Sequence, residues 1–204
     1  MSAPIKVDIC VIGAGSGGLS VAAGASQLGA TVALVERHLM GGDCLNFGCV
    51  PSKALLAAGK AAQNIRTADG FGIAVGPPQI DQKAVRQHVR DVIAGIAPHD
   101  SVERFRALGV NVIEGAARFV GPTEIEANGI RVTARRFVIA TGSSPVVPPI
   151  PGLDGVPFLT NETLFEYDQP MAHLIVIGGG PIGVEMSQAH RRLGVAVTLI
   201  EKTR

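Results

Sequence analysis

Aromatic residues, charged residues and cysteines are all scarce in this sequence of 204 residues. Only 4% of the residues are aromatic, 17% are charged, and three are cysteines. A net charge of +1 without a basic tract gives no electrostatic reason to expect nucleic acid or an anionic membrane surface as a partner. Three cysteines are too few for a disulfide scaffold, and no secretion signal opens the chain. We therefore expect a cytoplasmic protein that binds neither nucleic acid nor membranes.

One stretch without charge, between Asp8 and Glu36, is long enough to resemble a membrane-spanning helix. Its apolar residues do not form one continuous run, because β-branched runs at both ends flank a segment that begins with glycines. The pieces are of strand and helix length and are too short to cross a bilayer. The pattern predicts a strand, a helix and a second strand. The glycines that interrupt the stretch are Gly13, Gly15, Gly17, Gly18, Gly24 and Gly29.

The chain contains an internal repeat in which the segment that begins at Ile9 aligns without a gap with the segment that begins at Leu174. Each copy has an apolar strand, the pattern Gly-x-Gly-x-x-Gly, a helix and an acidic residue after a second strand. This combination is a strong indication of dinucleotide binding. The residues concerned are Gly13, Gly15, Gly18 and Glu36 in the first copy and Gly178, Gly180, Gly183 and Glu201 in the second.

Each element of this pattern has a physical role in a nucleotide site. The first glycine permits the tight turn, the second allows the backbone to approach a pyrophosphate, and the third allows the helix to pack on the strand. The helix N-terminus favours the phosphate charge, and the acid accepts hydrogen bonds from ribose hydroxyls. The alternative is that the glycines serve packing alone.

The region between the copies contains further predicted elements. A helix is expected over 51–68, a second one capped by Asp81, and a short third one that begins with a capping box at 100–103 and closes at Gly109. Five short β-rich runs follow, which we interpret as a small antiparallel meander that returns to the main sheet. A proline-rich stretch then marks a domain boundary. The β-rich runs are 110–113, 117–120, 124–127, 130–134 and 137–140.

Cys44 and Cys49 are separated by four residues, which a regular helix would place too far apart for a disulfide. A bridge therefore requires a distorted turn, and Gly48 supplies the backbone freedom for it. Pro51 suits the first turn of the following helix, which places Cys49 at a helix N-terminus, where a thiolate is stabilised. We expect a reactive, reversible disulfide; a metal site or two inert thiols are the alternatives. Cys10, within the first strand, is interpreted as a core residue.

The segment from Gly41 to Lys53 resembles a signature of the class I pyridine nucleotide-disulfide oxidoreductases. These flavoproteins include dihydrolipoamide dehydrogenase, mercuric reductase and glutathione reductase. The resemblance covers the whole chain and implies an α/β fold, in which a Rossmann-like FAD-binding domain with an inserted β-meander spans residues 1–150. The start of a second Rossmann-like domain, for NAD(P), then spans 151–204. The family's C-terminal domain, which carries the dimer contact and a catalytic histidine, is absent, so we expect these 204 residues alone to be inactive.

The resemblance also implies roles for individual residues. The first nucleotide site would hold FAD and the second a nicotinamide dinucleotide. Cys49 would be the thiol next to the flavin and Cys44 the thiol that attacks the substrate. Lys53 matches the family lysine beside the flavin, and Glu185 matches its ion-pair partner. Further positions that match FAD contacts are Gly42, Asp43 (where many members have threonine), Ala116, Thr141 and Gly142.

Glu201 predicts a preference for NAD(H) over NADP(H), because its carboxylate would face the 2′-phosphate of NADP(H) with like charge. No resident metal site is expected. The predicted function is that of a flavoenzyme of the dihydrolipoamide dehydrogenase or mercuric reductase type, acting as a homodimer on a small disulfide, dithiol or metal-ion substrate. Two alternatives remain: a flavin-dependent transhydrogenase or NADH oxidase without a dithiol substrate, and a truncated, non-catalytic dinucleotide-binding module.

Overall fold

The structure is a computed structural model that describes residues 4–202. Helices and strands alternate along most of the chain, with a run of four strands in its middle. No helix within residues 4–202 is long and apolar enough to span a membrane. The helices and strands are β1 (Ile5–Ile12), α1 (Ser16–Gln27), β2 (Val32–Glu36), α2 (Gly42–Asn46), α3 (Cys49–Arg66), α4 (Gln82–Ile96), α5 (Val102–Ala107), β3 (Asn111–Glu114), β4 (Arg118–Gly121), β5 (Glu124–Ala127), β6 (Ile130–Ile139), α6 (Asn161–Leu164), β7 (His173–Ile177), α7 (Pro181–Arg192) and β8 (Ala196–Ile200). Short 3₁₀ helices lie at Ala68–Phe71, Ala97–Asp100 and Leu153–Gly155.

The chain divides into two compact units that each combine two stretches of sequence. The first unit contains the residues up to Gly48 together with Ala94–Glu162, and the second contains Cys49–Ile93 and the residues from Thr163 onward. The expected α/β architecture is confirmed. The expected functional boundary at residue 150 stays a prediction.

The first unit is built on a six-stranded sheet in the order β3-β2-β1-β6-β5-β4. The strands β3, β2, β1 and β6 are parallel to one another, whereas β4, β5 and the first half of β6 pair in antiparallel fashion. Every residue of β2 from Val32 to Val35 is at most 1% exposed, as expected for a strand covered on both faces. The carboxyl ends of the neighbouring parallel strands β2, β1 and β6 therefore lie side by side at one edge of the sheet.

Three details differ from the sequence-based expectations. The run at 110–113 does not belong to the antiparallel meander, because β3 pairs in parallel with β2. Its Val112 packs in one buried cluster with Phe105 of the preceding helix α5, which returns the chain to the sheet in the same direction. The runs at 130–134 and 137–140 form one strand, β6, since pairing with β1 continues through Arg136. The N-cap of α5 is Ser101 rather than Asp100: the Ser101 side chain accepts the N–H of Arg104.

The second unit packs α3 and α4 with α7 and the parallel pair of β7 and β8. Its buried residues include Leu55, Val89 and Met186. Helices α3 and α7 approach closely at Gly59, where an added Cβ would lie 3.2 Å from the carbonyl oxygen of Ala189. The predicted helices over 51–68 and after Asp81 are present, and the Asp81 carboxylate caps α4 by accepting two backbone N–H groups.

Candidate functional site

The first glycine turn is closed on both sides by backbone. Gly13 follows β1 with a φ of +102°, and a Cβ there would collide with the carbonyl oxygen of Ala140 at the end of β6. A Cβ at Gly18, in helix α1, would collide with the carbonyl oxygen of Gly13. Only glycine fits at these two positions, so the sequence pattern has a steric cause.

Helix α1 begins directly after this turn. Gly15 is the N-cap, with extended backbone, and within residues 4–202 no side chain caps the helix. A Cβ at Gly17 would meet nothing within 4 Å. The first-turn N–H groups of α1 therefore have the arrangement that suits a phosphate group.

Glu36 closes the same turn from the end of β2. Its Oε2 accepts the backbone N–H of Ala14 at 2.6 Å, and its Oε1 accepts that of His38 at 2.8 Å. The carboxylate is thereby held beside the glycine turn, where a ribose bound next to the pyrophosphate would lie.

The segment that carries Cys44 packs directly on the first glycine turn. The backbone N–H of Gly41 donates to the carbonyl oxygen of Ala14 at 2.9 Å, and Gly41 forms a β-bridge with Gly15. A Cβ at Gly42 would lie 2.6 Å from the Cα of Gly15. Helix α2 consequently begins against the glycine that is expected to meet the pyrophosphate.

Asn46, which the sequence did not single out, stabilises this segment. The side-chain amide of Asn46 donates to the carbonyl oxygens of Gly42 at 2.8 Å and Met40 at 3.1 Å. Its position between two cysteines in a glycine-rich segment was the signal available in the sequence, since asparagine commonly bonds to nearby backbone in turns.

The three cysteines have different surroundings. Cys44 is half-buried on α2, and Cys49 is exposed at the first residue of α3, as expected for a thiol at a helix N-terminus. Cys10 is fully buried in β1, and burial raises the pKa of its thiol to about 11. Cys10 therefore stays protonated and inert at neutral pH, in agreement with its interpretation as a core residue.

The structure brings Lys53 and Glu185 together within the second unit. The Nζ of Lys53 on α3 lies 2.6 Å from the Oε2 of Glu185 on α7. The two side chains are 61% and 38% exposed, and ion pairs exposed to this extent contribute little to stability. Their expected role beside the flavin stays a prediction.

Three further predicted contact residues lie at strand ends of the first unit. Thr141 and Gly142 come shortly after β6, and the residue directly after this strand is bonded to β1 through the Ala140 N–H and the Ile12 oxygen at 2.8 Å. Ala116 follows Gly115, whose N–H donates to the carbonyl oxygen of Glu36 at 2.7 Å. All three positions are therefore grouped around the carboxyl ends of the parallel strands, which is where ligands bind in such sheets.

The second glycine turn repeats the internal geometry of the first. A Cβ at Gly183 would collide with the carbonyl oxygen of Gly178, which has a φ of +112°. The Oε2 of Glu201 accepts the N–H of Gly179 at 2.6 Å. Gly180 is the N-cap of α7, with extended backbone like its counterpart Gly15.

The described residues hold no group of three or more histidine, cysteine or acidic side chains that would bind a metal ion. Two cysteines on their own are a poor resident metal site, because structural metals in proteins are usually held by about four ligands.

Comparison with known proteins gives relatives over nearly the whole chain. A family profile described as pyridine nucleotide-disulphide oxidoreductase matches residues 7–204. The chain is 38% identical over 196 residues to the mercuric reductase of Bacillus cereus, covering 96% of the chain and 31% of that protein. It is 39% identical over 208 residues to the dihydrolipoyl dehydrogenase of Thermus scotoductus, covering 95% and 42%.

The fold has a solved counterpart in the Cu(II) complex of the HOCl-induced flavoprotein disulfide reductase RclA from Escherichia coli. The TM-score is 0.79 at 26% identity, with 95% of this chain and 41% of the other covered. The chain thus spans about a third to two fifths of the length of these relatives.

Proposed function

Because the chain belongs to the pyridine nucleotide-disulphide oxidoreductase family, we propose that its full-length protein is a FAD-dependent enzyme that passes electrons between NAD(P)H, the flavin, the Cys44–Cys49 pair and a disulfide, dithiol or metal-ion substrate. The observation that best supports this proposal is the packing of Gly42 on Gly15, where an added Cβ would lie 2.6 Å from the Cα of Gly15. This contact fixes the start of the helix that bears Cys44 against the first glycine turn. The proposed attacking thiol and the proposed nucleotide site therefore belong to the same unit.

The residues of the first copy fit the dinucleotide part of FAD. A Cβ at Gly15 would contact only the Cα of Gly42, at 3.8 Å, the N-terminus of α1 is uncapped among the described residues, and Glu36 is held beside the turn. The pyrophosphate would lie on the α1 N-terminus and the ribose hydroxyls would donate to Glu36. The remaining proposed FAD contacts are Gly13, Gly18, Gly42, Asp43, Lys53, Ala116, Thr141 and Gly142.

The residues of the second copy fit a nicotinamide dinucleotide in the same way. A Cβ at Gly180 would meet nothing within 4 Å of described atoms, so this space is open to a pyrophosphate. Glu201 occupies the position that Glu36 has in the first copy. The corresponding proposal is that Gly178, Gly180, Gly183 and Glu201 bind NAD(H) in preference to NADP(H).

FAD, when bound, supplies a hydride acceptor that returns an electron pair to the cysteine disulfide. In the resulting dithiol, the Cys44 thiolate attacks a sulfur of the substrate disulfide and expels the other substrate sulfur as a thiolate. The Cys49 thiolate then attacks the sulfur of Cys44, which releases the second substrate thiol and restores the Cys44–Cys49 disulfide. The exposure of Cys49 and the partial exposure of Cys44 suit this exchange.

Lys53 has a proposed electrostatic role that follows from the family membership. A cation next to the flavin stabilises negative charge when electrons arrive. Its ion pair with Glu185, at 2.6 Å, limits the positions that the flexible lysine side chain can take. The homodimeric assembly and the cytoplasmic location belong to the same proposal.

A metal ion is a second candidate substrate, favoured by the name of the relative from Bacillus cereus, a mercuric reductase. Two thiolates are soft ligands that suit a soft ion.

The two cysteine roles are tested in the full-length protein with the variants Cys44→Ser and Cys49→Ser. Reduction of the wild type with NADH should give a long-wavelength absorption band from a thiolate in contact with the flavin. We expect Cys44→Ser to keep this band and to lose more than about a thousandfold in disulfide or Hg(II) reduction, since loss of an attacking nucleophile has effects of this size. Cys49→Ser should lose both.

A matched control is Cys10→Ser, which changes the buried cysteine that takes no part in the exchange. If Cys49→Ser kept the band and Cys44→Ser lost it, the two roles would be reversed. Full reductase activity in Cys44→Ser would reject the dithiol mechanism and favour an NADH oxidase or transhydrogenase.

A further inference from the structure

We propose that Asp43 and Asn161 form a positioning pair that holds the helix bearing Cys44 in place. The pair joins parts of the first unit that are 118 residues apart in sequence: the Nδ2 of Asn161 donates to the Oδ1 of Asp43 at 2.9 Å. Asp43 directly precedes Cys44 on α2, and Asn161 is the first residue of α6. This inference rests on the proposed function of Cys44 as the attacking thiol.

The second carboxylate oxygen of Asp43 lies on the other side of the same segment. A Cβ at Gly48 would be 2.7 Å from the Oδ2 of Asp43, so the carboxylate rests against the backbone of Gly48. The backbone oxygen of Asp43 also accepts the N–H of Phe47 at 2.8 Å. One side chain therefore contacts both Asn161 and the end of the segment that begins with α2.

The Asp43–Asn161 bond differs in kind from the other side-chain bonds to this segment. Asn46 braces α2 through acceptors at Gly42 and Met40, which are within six residues of it. Such local bonds fix the shape of the turn but not its position on the rest of the unit. The bond to Asn161 supplies a long-range anchor, and its ionised acceptor makes it stronger than a neutral hydrogen bond.

Positioning matters for this thiol because the proposed exchange requires an in-line approach to a substrate sulfur. Reacting groups displaced by about 1 Å can lose on the order of a hundredfold in rate. Helix α2 has only five residues, so its internal hydrogen bonds cannot hold it rigid. A side-chain anchor next to Cys44 compensates for that shortness.

The test exchanges the two side chains in the full-length protein. Asn161→Asp places two carboxylates against each other and removes the donor. The double variant Asp43→Asn with Asn161→Asp restores one donor and one acceptor with their places reversed. Asn64→Asp makes the same chemical change as Asn161→Asp at an exposed position of α3 and is the control.

The readout is the alkylation rate of each cysteine by iodoacetamide in the reduced protein, resolved by peptide mass spectrometry. We expect Asn161→Asp to raise the rate at half-buried Cys44 about tenfold, because a released helix exposes the thiol. The double variant should return to within about threefold of the wild type, since two groups in contact couple. Asn64→Asp should stay within about twofold of the wild type. Cys10 reports on folding, because it reacts only if the sheet opens.

Equal rates at Cys44 in Asn161→Asp and Asn64→Asp would overturn the inference, as would a double variant that reacts as fast as Asn161→Asp. If Asn161→Asp makes Cys10 reactive, the uncharged Asn161→Ser takes its place, and a Cys44 rate equal to that of the wild type then overturns it. Failure of the proposed function is distinguishable, because it would appear as full reductase activity of Cys44→Ser whatever the alkylation rates are.

Discussion

The two glycine turns of this chain have the same internal geometry in different surroundings. In both copies, the third glycine fits against the carbonyl oxygen of the first, at Gly18 on Gly13 and at Gly183 on Gly178. In both, the acid after the second strand accepts the N–H of the residue between the first two glycines at 2.6 Å. These contacts lie within one strand-helix-strand unit and are therefore specified by local sequence.

The surroundings of the first glycine differ between the copies. A Cβ at Gly13 would collide with Ala140, a residue supplied by a strand far away in sequence, whereas a Cβ at Gly178 meets no described atom within 4 Å. The strand β1 lies in the middle of a six-stranded sheet, while β7 has only β8 beside it among the described strands. The comparison teaches that local sequence specifies the turn and that tertiary contacts determine how strictly each glycine is required.

The largest expected difference between the copies is in the effect of alanine at the first glycine. Gly13→Ala combines backbone strain at a φ of +102° with a collision, and we expect a loss of about 3–5 kcal/mol in unfolding free energy. Gly178→Ala has strain alone and should lose about 1–3 kcal/mol. Urea unfolding of the full-length variants, followed by circular dichroism, measures both. Equal losses of unfolding free energy in the two variants would contradict the difference between the copies.

Alanine substitutions at Glu36 and Glu201 should affect the binding of different ligands. Glu201→Ala should narrow the preference for NADH over NADPH, because the like charge that disfavours the 2′-phosphate is worth about 1–3 kcal/mol, or roughly ten- to a hundredfold in affinity. Glu36→Ala should weaken FAD retention and leave the nucleotide preference unchanged. Steady-state kinetics with both nucleotides provide the measurement. A wild-type specificity constant for NADPH equal to or above that for NADH would contradict the assignment of Glu201.

The smallest expected difference between the copies concerns stability at low pH. His190 on α7 is half-buried, and desolvation lowers the pKa of its imidazole from the usual 6.5, whereas the first copy has Ala25 at the corresponding position. Below pH 6.5 the unfolded chain binds a proton that the folded chain does not, so stability present above pH 6.5 is lost as the pH falls further. His190→Gln should flatten this dependence in urea unfolding between pH 5 and 7. An unchanged slope would show that another group causes it.

Much of the fold follows from the sequence because its signals are local. The glycine turns, the helix that begins near Pro51 and the Asp81 cap each depend on residues within one turn or one strand-helix unit. The position of β3 did not follow, since a four-residue strand has the same pattern in a parallel and an antiparallel pair, and the packing of Phe105 with Val112 decided between them. The break expected within β6 was wrong because pairing with β1 outweighs two exposed arginines, Arg135 and Arg136.

The candidate site shows the same division. The cysteine spacing and the repeat predicted Cys44, Cys49 and the two acids as site residues, because residue type and spacing are visible in the sequence. The bond between Asp43 and Asn161 had no signal in the sequence, because it joins two polar residues 118 positions apart. Side-chain pairs of this kind become visible only when the fold brings them together.

The central claim is that the two copies of one motif bind different nucleotides, and paired alanine variants test it most directly. A Cβ at Gly15 has only a contact of 3.8 Å with Gly42, and one at Gly180 has none within 4 Å, so both variants should fold. Flavin content and NADH-dependent flavin reduction are measured on the full-length proteins. We predict that Gly15→Ala loses most of its flavin, and that Gly180→Ala keeps its flavin but is reduced by NADH at least about tenfold more slowly. Loss of flavin in Gly180→Ala with retention in Gly15→Ala would contradict the account.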